Sequence, residues 1–445
     1  MKGLAGRRDR HVRYRKLFIH AALVYICAVC VAVGLMWLIR AIPFQNAYRH
    51  IGQEAQVMVR EPLIPQVMDR YLASDALWRD NITDATMMSI MMPDPTRSAF
   101  QSALANAQVA VRSGTPAQAL VQQTQGGSVF HEPYARYWHG YQLLYLPLLE
   151  VFSYNGVRVF MALVLTLQVL AILLLLSKRV GWRIALIFGL SLLATYSFMA
   201  PFSLQFVAVF LIGFAFTIVV LAKKTFSRSS LLLMFFLAGI LTVFFDFLTA
   251  PFITCGIPLL CYLAIRFHEE PEHFGRRRTY ETVLGCSLFW LLGYGLFWAA
   301  KWIVASMFLP GNVMSEALGA VAERTGYTSA SSWLLPFQAL ARACTVLVPR
   351  QLGVGVVARA LVLAGFIILA ILVWLVLYLR RRREGSASVR AALPFFLVAT
   401  FPFVWLSVLA EHTMVHYSFV YRVLVVSVFA VLLFAFFSLK GAPEA

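Results

Sequence analysis

An all-α polytopic membrane protein, crossing the bilayer about ten times with both termini cytoplasmic and a large first loop outside, is the architecture this sequence predicts. Three observations predict it. Of 445 residues 60% are apolar and only 13% are charged, about half the charged share of a soluble domain, and mean hydropathy is +0.76. Apolar stretches of about 20 residues, the length that crosses a hydrocarbon core, recur along the chain. The basic residues change sides in step with those stretches. At about 150 residues per domain the length would allow several soluble domains, but so few charges cannot build their water-facing surfaces.

Residues 1–16 carry seven Lys and Arg and read as a basic cytoplasmic tail. Residues 17–39 form the first transmembrane helix. This stretch is too long for a signal-peptide core and no small-residue cleavage site follows, so it reads as retained. Residues 40–156 are an extracytoplasmic loop with interfacial helices. Transmembrane helices 2–7 occupy 157–308, on apolar spans at 157–176, 184–199, 203–222, 230–247, 250–266 and 281–308. A second extracytoplasmic loop spans 309–353. Transmembrane helices 8–10 and a short cytoplasmic tail complete 354–445, with spans at 354–379, 391–410 and 415–439.

The charges test this order. The segments placed inside (1–16, 177–183, 223–228, 266–278, 380–390 and 440–445) hold 23 of the 38 Lys and Arg, in 59 residues. The outside connections 199–203, 246–251 and 411–416 hold none, as the positive-inside rule requires. The net charge of +18 therefore orients a membrane protein. The cations are not gathered with aromatics on one face, which excludes nucleic acid as a partner. The six cysteines imply no disulfide framework, and Cys27 and Cys30 lie on neighbouring turns of the first span, where Cys acts as a small hydrophobe.

The polar residues worth chemical attention fall on the outer side. Asp80 and Asp84 precede or open an apolar run at 85–92. Asp80 or Asn81 would cap a short interfacial helix, and on that helix Asp80 and Asp84 share a face, suited to general-base or metal work. Asn81-Ile82-Thr83 is also a glycosylation sequon, meaningful only in a secretory compartment. The stretch 131–141 packs His131, Glu132, Arg136 and His139 among Tyr and Trp. An interfacial aromatic belt explains the rings, and a sugar or phosphate platform explains the ionisable groups as well.

Asp246 stands between two spans at their outer ends, where a carboxylate is costly; it reads as functional, with a turn or cap as the plain alternative. Lys301, inside a span, would snorkel or meet a buried carboxylate. His412 and His416, at i,i+4, share a helical face, but spacing provides no third ligand, so no metal site is assigned. Arg422, within the last span, must find an anion: a phosphate, Asp246 or Glu411. The first loop holds eight Arg (40, 49, 60, 70, 79, 97, 112 and 136) and no Lys. Guanidinium suits phosphate or carboxylate recognition, although the whole chain favours Arg, 31 to 7.

A helix entering from the cytoplasm, a long outer loop with carboxylates, and an aromatic-Pro approach to the second span at Arg158 together resemble the GT-C membrane glycosyltransferases over the first 180 residues. The stretches 134–141, 246–251 and 412–422 also resemble a group of bacterial multi-pass proteins near that superfamily. The resemblance implies a sugar donor linked to a polyprenyl phosphate, a glycan or lipid acceptor, and the bacterial plasma membrane. It implies Asp84 as the base, then Asp80, with Asp246 a further catalytic candidate. Arg136, Arg158 and Arg422 would hold phosphate, and His131, Glu132, His139, His412 and His416 would contact substrate. A divalent cation, Mg or Mn, is compatible with this chemistry. In one respect the chain departs from the family: the first acidic residue after the first span is Glu54, and Asp80 and Asp84 come later. A transporter or non-catalytic scaffold for lipid-linked glycans, and an envelope polysaccharide polymerase or ligase, are the rival classes; no clear internal repeat favours the transporter.

Overall fold

The computed structural model describes residues 2–67, 73–326, 333–353, 355–383 and 388–440, with side chains from residue 15 onward. Arg70, most side chains of the basic tail, and the last residues of the short cytoplasmic tail therefore lie outside the described residues. The chain is almost wholly helical. Helix α1 (Lys2–Ala41) leads into the first loop, which holds α2 (Gln45–Arg60), α3 (Asn81–Met91), α4 (Ala99–Ala105), α5 (Pro116–Thr124) and α6 (Gln142–Val151). Next come α7 (Tyr154–Arg179), α8 (Trp182–Ala194), α9 (Leu204–Ala222), α10 (Arg228–Phe245), α11 (Ile253–Glu269) and α12 (Arg277–Phe308). The second loop folds as α13 (Val313–Thr325) and α14 (Leu335–Thr345). Helices α15 (Gly355–Arg383), α16 (Val389–Ala399), α17 (Phe401–Val408), α18 (Ala410–Val420) and α19 (Leu424–Lys440) close the fold.

Among the described residues, eight helical stretches are long and apolar enough to cross a membrane, which marks a multi-pass membrane protein. They are α1 from Arg15, α7, α9, α10, α12, α15, α16 with α17, and α18 with α19. The two other expected spans fall on α8, of 13 residues, and α11, of 17. At 1.5 Å per residue these reach about 20 and 26 Å, short of a core of about 30 Å. Helix α8 stops early because Tyr196 turns with φ +50° into a 3-10 segment, Ser197–Phe202, that contains Pro201. Helix α11 is buried over nearly its whole circumference. That burial explains an apolar stretch without a polar face.

Helices α10 and α12 run backbone to backbone. A Cβ placed on Gly239 would overlap the Trp290 carbonyl, and one on Gly293 would overlap the Phe236 carbonyl, so two glycines permit the approach. Outermost is α15, on which, among its described residues, only Arg359 is buried. The basic runs collect at one end of the bundle. There Arg179 donates to the Leu221 and Lys223 carbonyls and pairs with Glu269 at 2.8 Å, Arg228 faces Glu281 at 3.5 Å, and Ser388 N donates to Ser438 O.

The first loop caps the opposite end. Its short helices follow from local signals: Ser98 with Gln101 and Thr115 with Gln118 each close a capping box. A ribbon of β1 (Gln108–Ala110) and β2 (Phe130–Glu132) pairs antiparallel, with Val109 opposite His131, a small β element in a chain expected to be all helix. Arg40, at the end of α1, donates to the carbonyls of Ile90, Met91 and Met92, which have no intrahelical partner at the end of α3. Lys301 donates to Leu104 O at 2.7 Å; it neither snorkels nor meets a carboxylate, and instead ties α12 to α4. Asp75, 1% exposed, pairs with Arg350 and, at 2.8 Å, with Arg359, which fastens the first loop to the second loop and α15.

Candidate functional site

Residues 202–206, where the 3-10 turn becomes α9, hold the candidate site together. The Asp80 amide donates to Ser203 Oγ at 2.9 Å. The Asp80 carboxylate accepts Gln205 Nε2 at 2.6 Å, Thr83 N at 3.0 Å and Thr83 Oγ1 at 2.7 Å. One turn further along α3, Asp84 accepts Leu204 N through both oxygens, at 2.9 and 3.1 Å, and Tyr154 OH at 2.6 Å. The expected capping by Asp80 and the expected shared face are thus both present. The second carboxylate does a second job: it binds the free Leu204 N–H at the start of α9, where a negative charge is favoured.

The two carboxylates differ in access. Asp84 is completely buried. Burial pushes its carboxyl up to about 7, the Asp80 charge adds to that, and the bonds from Tyr154 and Leu204 pull the other way. Asp80 faces a cavity. Two cavities of about 200 Å³ each lie either side of Thr83, His416 and Phe419, which line both. One is lined further by Tyr137, Phe247, Gln205, His412 and Arg324. The other is lined by Asp80, Arg79 and Phe206. Asp84 lines neither, so access reverses the order in which the two were ranked from the sequence.

Arg422 is 1% exposed and lies 3.7 Å from the Phe206 ring. Its Nη1 donates to the Ser418 and Phe419 carbonyls, while Nε and Nη2 have no partner among the described residues. Neither Asp246 nor Glu411 pairs with it; Asp80 is the carboxylate whose field reaches it. His412 and His416 stand with ring centroids 4.7 Å apart, and His416 is 4.7 Å from Phe419. A kink at His416 (φ −111°, ψ 23°) interrupts α18 and puts this ring in the wall between the cavities.

Behind the first cavity lies an aromatic nest. His139 has φ +56° and Leu248 φ +65°, conformations that cost about 1–3 kcal/mol each outside glycine. Gly140 N donates to Phe244 O at 2.9 Å, and a Cβ there would stand 2.7 Å from the same oxygen, so only glycine fits. This contact sets the His139 ring 5.0 Å from Phe247 and among Tyr134, Tyr137 and Tyr141. Burial holds its imidazole well below the ordinary value, hence neutral. Asp246, 3% exposed, accepts Thr249 N at 3.1 and 3.2 Å, and burial pushes it up to about 7. It closes the turn into α11, the plain alternative of the sequence reading. Leu248 O in that turn lies 3.3 Å from His412 Nε2.

The remaining sequence candidates are dispersed. His131 and Glu132 sit on β2, and neither lines the two cavities. Arg136 pairs with Glu316 of α13 at 2.8 Å and stacks on Tyr134 at 4.3 Å. Arg158 lies over Phe202 at 5.2 Å and Tyr154 at 5.5 Å, at the edge of an apolar groove of about 550 Å³ between α7, α8 and α9 that includes Phe202, Phe210 and Phe214. The sequon Asn81 is buried and donates to Glu61 at 2.9 Å. Sequence reasoning missed Ser203, Gln205, Tyr154 and Arg324. Arg324 stands 5.7 Å from the Tyr137 ring; its only sequence signal was a cation in the outer loop 309–353.

Among the described residues no three His, Cys, Asp or Glu side chains gather so as to hold a metal ion. No step below is routed through a divalent cation. Comparison with protein-family models, with curated proteins and with solved structures finds no match to this chain.

Proposed function

We propose that the chain is an integral membrane glycosyltransferase that moves a sugar from a polyprenyl-phosphate donor to an envelope glycan or lipid acceptor at the extracytoplasmic face. One observation carries the reading: the cavity-facing carboxylate Asp80 lies across a shared wall from Arg324, whose guanidinium forms no ion pair among the described residues, with buried Arg422 behind. The apolar groove ending at Phe202, over whose ring Arg158 lies, adds a place for a lipid chain one residue from Ser203.

In this reading the acceptor hydroxyl occupies the Asp80 cavity. Among the described residues Asp80 Oδ1 accepts only the Thr83 amide, which leaves a lone pair for the acceptor proton. The acceptor oxygen bonds to the anomeric carbon of a sugar held in the neighbouring cavity. The bond from that carbon to the phosphate oxygen breaks, and its electron pair leaves with the polyprenyl phosphate, whose charge Arg324 and Arg422 offset. Tyr137 and Phe247 offer faces for the sugar ring, and Gln205 and His412 offer polar groups for its hydroxyls. Asp84 and Asp246 hold the backbone in place.

A polymerase or ligase shares this donor and differs in the acceptor. The use of Asp84 and Asp246 on backbone amides favours, as a second reading, a scaffold that holds lipid-linked glycans without turning them over. Envelope glycans of a deletion strain, complemented with wild type or Asp80→Asn at matched membrane levels, separate the two by mass spectrometry. The transferase reading expects one sugar unit lost on deletion and still missing with Asp80→Asn; restoration by Asp80→Asn overturns it.

A further inference from the structure

At the basic end of the bundle, two open cavities of about 510 and 660 Å³ flank the connection between α11 and α12 and share Phe274, Arg276 and Arg277. The larger lies between the starts of α12 and α16. Its polar wall is Arg276, Arg277, Arg390, Tyr280 and Ser388, with Glu272 the one carboxylate among its described lining residues. Arg277 is joined to Glu281 at 2.9 Å, and Glu272 to His273 at 2.8 Å. Neither Arg276 nor Arg390 forms an ion pair among the described residues, although the Glu272 charge reaches Arg276, so the two remain like charges around one opening.

An anion between them removes that repulsion. Guanidinium forks match the oxygens of a phosphate, and the Tyr280 and Ser388 hydroxyls are further donors. The rest of the wall is apolar, Phe274, Ala391 and Leu393. Further along the same two helices, Leu284 and Leu288 on α12 and Phe396 on α16 are exposed, a surface that acyl chains cover in a bilayer. A soluble anion would use the arginines and leave this apolar margin idle; a lipid uses both.

We propose that this cavity binds the phosphate headgroup of an anionic membrane phospholipid, at the end of the bundle opposite the Asp80 cavities. Basic recesses between spans at a membrane surface attract such headgroups, and here two cations are directed at one opening. The site is independent of the transferase reading.

The test uses the full-length protein in nanodiscs of phosphatidylcholine doped with phosphatidylglycerol, with lipid retained per protein read by native mass spectrometry. Arg276→Gln with Arg390→Gln lowers phosphatidylglycerol retention roughly tenfold and leaves phosphatidylcholine unchanged. Arg382→Gln with Arg383→Gln, a charge-matched pair at the same end outside the cavity, leaves both unchanged. Both cavity arginines are exposed, and elution as a single species confirms folding; if the pair does not fold, Arg390→Gln alone is read the same way with a smaller loss. Undiminished retention in the cavity variant overturns the proposal. Equal losses in both pairs overturn it in favour of diffuse surface charge, and displacement of the lipid by millimolar inorganic phosphate overturns it in favour of a soluble anion.

Discussion

Replacing Asp84 by Asn separates its structural work from catalysis and has a calculable pH signature. Burial lifts the Asp84 carboxyl from 3.8 to about 7. Between those values the folded protein holds a proton that the unfolded chain has released, so stability falls as pH rises through about 7. Roughly three pH units correspond to about 4 kcal/mol, of which about 3 kcal/mol falls between pH 5 and pH 8. A chain of this length unfolds with an entropy near 0.9 kcal/mol/K, so each kcal/mol shifts the melting temperature by about 1 °C. Asn has the shape of the neutral acid and no proton to lose. Purified Asp84→Asn should therefore melt about 1–2 °C above wild type at pH 5 and about 4 °C above it at pH 8, a gap that widens by about 3 °C. Burial and the Glu61 charge push Glu54 to about 7 as well, and Asp246 also stands near 7. These two tilt both curves alike, so the difference belongs to Asp84. A variant that melts below wild type at pH 8 refutes the reasoning: the α9 N-terminus and Tyr154 would then favour the ionised form by more than burial disfavours it.

Other outcomes follow from the packing. Gly239→Ala drives a methyl into the Trp290 carbonyl and should cost about 1–3 kcal/mol or more, seen as a lower melting temperature and less monodisperse protein. Gly295→Ala, on the same pair of helices with open space around it, should be neutral or stabilising. Asp75→Ala strands two guanidinium groups and should cost about 3–5 kcal/mol, with faster proteolysis within 333–353. Arg350→Ala should cost less, because its side chain is 42% exposed and Arg359 still neutralises Asp75.

Much of this was legible in the sequence because bilayer physics writes long, simple signals. Apolar length located the eight helical stretches that, among the described residues, are long and apolar enough to cross a membrane, and basic runs marked the connections that gather at one end. Length alone did not distinguish α8 and α11 from the longer stretches: a short helix broken at Tyr196 and a wholly buried one both read as apolar stretches. In the first loop Asp80 announced its helix through capping chemistry, yet nothing local distinguished the sealed Asp84 from the open Asp80. That difference comes from Tyr154 and Leu204, residues 70 and 120 positions away. Gln205 and Ser203 were hidden as ordinary polar residues at the mouth of a span. The β2 pair His131 and Glu132 looked like site residues because they adjoin Arg136 and His139 in sequence, while in the ribbon it is Gln108, the partner of Glu132, that lines a cavity.

The central claim, that Asp80 takes the acceptor proton in the cavity it lines, is met most directly by measuring release of polyprenyl phosphate from lipid-linked sugars in proteoliposomes. The account predicts that Asp80→Asn retains donor binding and loses release by about a hundredfold or more, the usual scale of a general base, while Asp84→Asn keeps most of it. Wild-type release from Asp80→Asn, with Asp84→Asn inactive yet folded, would contradict the account and return the chemistry to the buried carboxylate.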